Sequence, residues 1–154
     1  MPLALAGYDV VKAFHIMAVV AGYGLPMAYP FLLPYVRRKH PEAMAGVHDV
    51  QHLLNQRITG PMTVLILAFG AWMASKHDLW GQAWVDVPIA ILIVIGGLGG
   101  AVVVPSTARL AELARVDLNG AEYARVYRRY MSAEIVLGVL VLVAIFFMAA
   151  KPFS

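Results

Sequence analysis

The sequence predicts an all-α integral membrane protein: an up-down four-helix bundle with amphipathic and cytosolic helical extensions, one transmembrane domain over residues 1–154. Three observations carry this. First, the residues are 61% hydrophobic and only 14% charged, against about 25% charged in soluble domains. Second, four apolar runs, near residues 9–36, 58–76, 86–105 and 132–150, can each cross a bilayer core of roughly 30 Å, which takes about 20 helical residues. Third, the basic residues fall in alternate connections. Arg37, Arg38, Lys39 and Arg57 lie between spans one and two, and Arg109, Arg115, Arg125, Arg128 and Arg129 between spans three and four. Only Lys12, Lys76 and Lys151 fall on the other side. The positive-inside rule then places both termini outside a bacterial inner membrane, and short connections favour antiparallel neighbours. Nothing before Asp9 has the basic segment and cleavage site of a secretory signal, so span one is expected to remain.

The second half of span one carries Gly22, Gly24, Pro26, Pro30 and Pro34. Proline lacks a backbone donor and kinks a helix, so a bend or local unwinding is expected there. Glu42 to Thr59 reads as an amphipathic helix that lies along the membrane surface or leads directly into span two. Val47, Val50, Leu54 and Ile58 form its apolar face, and His48, His52, Asn55 and Thr59 a wetted polar one. Gly60-Pro61 is expected to separate it from span two. Trp80 and Trp84 suit the headgroup level, Asp86 can cap span three, and Pro88 suits its first turn. Gly96 and Gly100 form a Gly-xxx-Gly pair for close helix approach, as Gly22 does in span one. Pro105-Ser106-Thr107 opens a cytosolic helix, and from Ala121 the chain is helical into span four. Tyr123, Tyr127 and Tyr130 are expected in the inner aromatic belt, and the scattered methionines as core filling.

Few residues could carry chemistry. Without cysteine there is no disulfide, thiolate metal site or thiol nucleophile. His15 stands well inside an apolar run, and an ionisable group at such depth is a functional candidate by default. Lys12, Ala18, Gly22 and Pro26 share its helical face, leaving room for something flat. Imidazole is a common axial haem ligand; the alternative is a core histidine bonded across the bundle. On the same side only His77 could be a second histidine ligand. His48 and His52 have the four-residue spacing of zinc helices but no third ligand, and lie on the opposite side from His15. Arg57 and Glu134 stand at matching levels and are expected to form a structural ion pair. No phosphate loop or catalytic Ser/His/Asp arrangement is present, and topology alone explains the basic loops, so no nucleic-acid partner is indicated.

Lys12-Ala13-Phe14-His15-Ile16, followed by Ala18-Val19-Val20, resembles the opening helix of the HemJ-type protoporphyrinogen oxidases and the wider CopD-like superfamily. Arg57-Ile58, Pro61-Met62-Thr63 and Gly70 resemble the start of their second span. The layout is most similar to an uncharacterised family of predicted integral membrane proteins in that superfamily. The resemblance implies four helices, haem b as cofactor, His15 as its ligand and Lys12 as companion. The third span departs from the pattern: Trp84 is followed by Val85-Asp86-Val87-Pro88, without the histidine and lysine of the HemJ type. With that half missing, the expectation is a haem- or metal-binding redox-accessory protein rather than an oxidase. The rival is a structural or assembly subunit, packed through Gly96 and Gly100 against a second copy or a larger complex. A copper or small-solute permease is least supported, because the spans supply few polar groups for a path.

Overall fold

The computed structural model describes residues 2–152, with side chains from residue 7 onward; residues 1, 153 and 154 of the expected domain lie outside the described residues. The chain runs α1 (Pro2–Tyr23), a 3-10 turn (Pro26–Ala28), α2 (Tyr29–Lys39), a 3-10 turn (Pro41–Ala43), α3 (Met44–Leu54), a π-helical turn (Asn55–Thr59) and α4 (Gly60–Lys76). It continues with α5 (Ala83–Leu98), a second π-helical turn (Gly99–Val103), α6 (Val104–Val116) and α7 (Ala121–Ala150). These make four helical rods long and apolar enough to cross a membrane: Gly7–Lys39, Pro41–Lys76, Ala83–Val116 and Ala121–Ala150. The all-α integral membrane architecture is thus the one expected.

The rods pack on a buried cluster that includes Leu33, Ile66, Leu92, Leu110 and Leu137, and they leave many further large apolar side chains exposed. On α1 the buried stripe is His15, Ala18 and Gly22, while Phe14, Met17 and Val20 are exposed. Without water around them, large apolar side chains gain nothing by turning inward, and small residues let helices approach. Gly22 shows this: a Cβ there would stand 2.8 Å from the Met62 Cβ on α4.

Four expectations are corrected. Gly60-Pro61 does not separate two helices, whereas Pro105 stands in the first turn of α6, where a helix start was expected. Each follows a π-helical turn, closed by Gly60 N–H donating to Asn55 O and by Val104 N–H donating to Gly99 O. The wider turn absorbs a proline that brings no donor of its own. Second, α3 is turned over relative to the surface-helix reading. Met44, His48, Gln51 and Asn55 are buried, and Val50, Leu53 and Ile58 are exposed. The polar stripe faces α6 and α7 because it finds hydrogen-bond partners there. Third, Tyr123, Tyr127 and Tyr130 are buried on the inner stripe of α7 instead of forming a belt. The Arg37 guanidinium lies over Tyr123 and Tyr127, 5.3 and 5.1 Å from their ring centres, and covers them with a cation–π contact. Fourth, Pro88 and Asp86 fall inside α5, which begins at Ala83. Asp86 accepts the Gly81 N–H at 3.0 Å, bracing a turn in which Gly81 takes φ +86°.

Candidate functional site

A cavity of about 230 Å³ lies between the rods toward the end that carries Arg37 and the tyrosines. Both π-helical turns and the 3-10 turn at Pro26 open onto it, through Asn55 and Thr59, through Gly99, Gly100 and Val103, and through Pro26 and Met27. Irregular backbone in a membrane is tolerated where it lines a cavity, and π-helical turns recur at functional sites. Three such breaks meeting at one space make it the leading candidate.

Among the described residues its single charge is Glu134, which is only 5% exposed. Among the described residues no salt bridge reaches this carboxylate. The expected Arg57 partner is exposed, on the outward side of the π-helical turn whose Asn55 points inward. The turn's extra residue rotates Arg57 away, and the predicted ion pair is not formed. Tyr130 stands one turn before Glu134 on the same buried stripe of α7. Tyr29 also stands near it, its hydroxyl buried without a partner. On the opposite wall Thr63 donates to Thr59 O at 2.7 Å, so the Tyr23 hydroxyl donates to Thr63 Oγ1 at 2.6 Å.

A buried hydrogen-bonded chain ties α3 to α7 next to this site. His48 Nδ1 is 2.7 Å from Gln51 Oε1, and His48 Nε2 is 2.9 Å from the Tyr123 hydroxyl. The Gln51 amide donates to the Tyr130 hydroxyl at 2.8 Å. His52 Nδ1 stands 3.2 Å from both Val104 O and Thr107 Oγ1, tying α3 to α6 just after the second π-helical turn. Both ring nitrogens of His48 are therefore engaged, and His52 faces another helix. Among the described residues no group of three His, Cys, Asp or Glu side chains could hold a metal ion. The arrangement gives no support to zinc at His48 and His52.

His15 occupies a separate place near the opposite end. It is 6% exposed, its Nδ1 is buried without a partner, and its Cε1 would lie 3.5 Å from a Cβ at Gly70. Beside it is a cavity of about 70 Å³, lined also by Tyr8, Met73, Trp84 and Met148. His77 does not line that cavity; it is exposed and packs edge-on against Tyr8, ring centres 4.6 Å apart. Lys12 is exposed and so is free to reach the membrane surface. The structure thus keeps His15 inside but does not set His77 opposite it. As packed, the space is too small for a porphyrin. Gly96 lies 3.8 Å, measured from a Cβ built on it, from Thr63, while Gly100 borders the large cavity with open space beside it.

The fold and these sites define the class: a four-helix integral membrane protein with a polar-tipped intramembrane cavity. The model of the predicted integral membrane protein family DUF2269 matches residues 9–152, and the chain belongs to that family. No curated protein and no solved structure matches it.

Sequence reasoning missed the Glu134 cavity. Its signals were present as Asn55, Thr59, Gly60-Pro61, Gly99-Gly100 and Pro105, but these read as punctuation and packing. Only the assembled bundle brings them to one space.

Proposed function

We propose that this chain is a non-enzymatic binding protein of the inner membrane that holds a small molecule in the cavity at Glu134. The carrying observation is Glu134 itself. A carboxylate this deep, unpaired, at the tip of a mostly apolar cavity is a liability unless something binds there. Native mass spectrometry of the protein released from mild detergent is expected to show a bound small molecule. Gly138→Leu, which fills the cavity, is expected to lose it. If no adduct appears and the protein runs as a dimer whose copies cross-link at Gly100→Cys, a neighbouring copy fills the space and the structural-subunit reading takes over. The basic connections support cytoplasmic loops and outer termini.

A second reading keeps His15 as a ligand to haem b, with the chain a redox-accessory relative of the CopD/HemJ-like superfamily. The unpartnered, buried Nδ1 of His15 favours it. Binding would require α1 and α4 to part, since the present space is about 70 Å³. Absorption spectra after haem supplementation decide. No Soret band ends this reading, and a band that survives His15→Ala ends the ligand assignment.

A further inference from the structure

Resting on the binding reading above, the geometry points to the occupant's chemistry: we propose a small apolar amine, held as its ammonium against Glu134, with Gln51 and Tyr130 as positioning residues. The first argument is charge. Glu134 is the one charged residue lining the cavity, and no cation of the chain offsets it among the described residues. A ligand carrying a positive charge supplies what is missing, and a charge-assisted hydrogen bond is among the strongest available.

The second argument is the direction of the hydrogen bonds. Gln51 Oε1 can only accept, so His48 Nδ1 donates to it. In the neutral ring His48 Nε2 then accepts from the Tyr123 hydroxyl. The Gln51 amide donates to the Tyr130 oxygen, which leaves the Tyr130 proton uncommitted one turn from Glu134. Every donor in the series Tyr123, His48, Gln51 points the same way, and the series ends at Tyr130, one turn before the carboxylate on the same buried stripe of α7. Such a chain presents Tyr130 as a donor on the turn that precedes Glu134. The groups that face Glu134 from other elements are Tyr29, Tyr23 and Asn55, none of them a cation.

The third argument excludes a bare metal ion. Hard cations need six or more oxygens, whereas this lining is dominated by glycine and aliphatic residues, and the Thr63 and Tyr23 hydroxyls are bonded to each other. The volume of about 230 Å³ is below the roughly 300–1,000 Å³ of pockets for drug-sized ligands. An amine with a short apolar body fits both facts.

The test uses the whole protein in detergent and dicyclohexylcarbodiimide, which modifies buried carboxyl groups in apolar surroundings. Labelling of Glu134 is followed by mass spectrometry, with Glu134→Gln as the site control. N,N-dimethylhexylamine is expected to slow labelling about tenfold, the size of one charge-assisted hydrogen bond. 1-Hexanol at the same concentration is expected to slow it no more than about twofold, since it brings bulk without charge. Gln51→Leu and Tyr130→Phe should cut the amine's advantage to about twofold while leaving the alcohol's effect unchanged. A merely structural role would change both alike, and that result removes the positioning assignment. Equal protection by amine and alcohol overturns the ammonium proposal but leaves a binding cavity. If neither protects and Gly138→Leu labels at the wild-type rate, the binding reading itself fails.

Discussion

Replacing Gln51 by leucine is the sharpest probe of the buried chain. Gln51 is 1% exposed and makes two side-chain hydrogen bonds, of 2.7 Å with His48 and 2.8 Å to Tyr130. Leucine has similar length but neither polar group. The variant strands the His48 Nδ1–H, and a buried unsatisfied donor costs about 1–3 kcal/mol. Loss of the bond to Tyr130 adds about 0.6–1.7 kcal/mol, the range for hydrogen bonds between helices in membranes. Some of this is returned by better packing of an apolar side chain, so the net loss should be about 2–3 kcal/mol. Reversible unfolding in mixed detergent micelles measures it. The double variant His48→Phe with Gln51→Leu removes donor and acceptor together, and should recover at least about 1 kcal/mol relative to the sum of the singles. A single variant within about 0.5 kcal/mol of wild type, or strict additivity in the double, refutes the reasoning.

Other outcomes follow from the same structure. Glu134→Gln should raise stability in detergent by about 1–2 kcal/mol, because a carboxylate kept for binding costs stability when unpaired; a drop would make it a structural anchor. Gly22→Leu should cost about 1–3 kcal/mol through overpacking, since even a Cβ would stand 2.8 Å from Met62. Met62→Ala should restore part of that loss, read by the same unfolding assay. Arg57→Ala should stay within about 0.5 kcal/mol of wild type, as for an exposed residue without a partner, and a larger loss would revive the ion pair with Glu134.

Much of the framework was legible because it depends on composition along the chain. Apolar length sets how many rods form, and proline and glycine mark where their backbone departs from the α-helix. The break at Pro26 was foreseen for this reason. The site was less legible. His15 could be picked out as a polar side chain in an apolar run, and it is buried, but the sequence could not say whether His77 stands across from it. Glu134 was noticed and given the wrong partner, because matching levels along two helices do not fix how each is rotated.

The sequence by itself determined four apolar rods, their irregular points and the clustering of arginine at one end. These follow from the bilayer's thickness and from proline's missing donor, which act on any chain with these residues. The tertiary structure alone decided which way α3 faces. In water its valine and leucine side would turn inward. Here its histidine and glutamine side does, because α7 offers Tyr123 and Tyr130 as partners and the exposed side meets no water to avoid. The same choice of rotation carries Asn55 to the cavity and Arg57 away from it, and leaves Glu134 without a counter-charge. Rotation about a helix axis is set by contacts between helices, and the linear sequence holds those only implicitly.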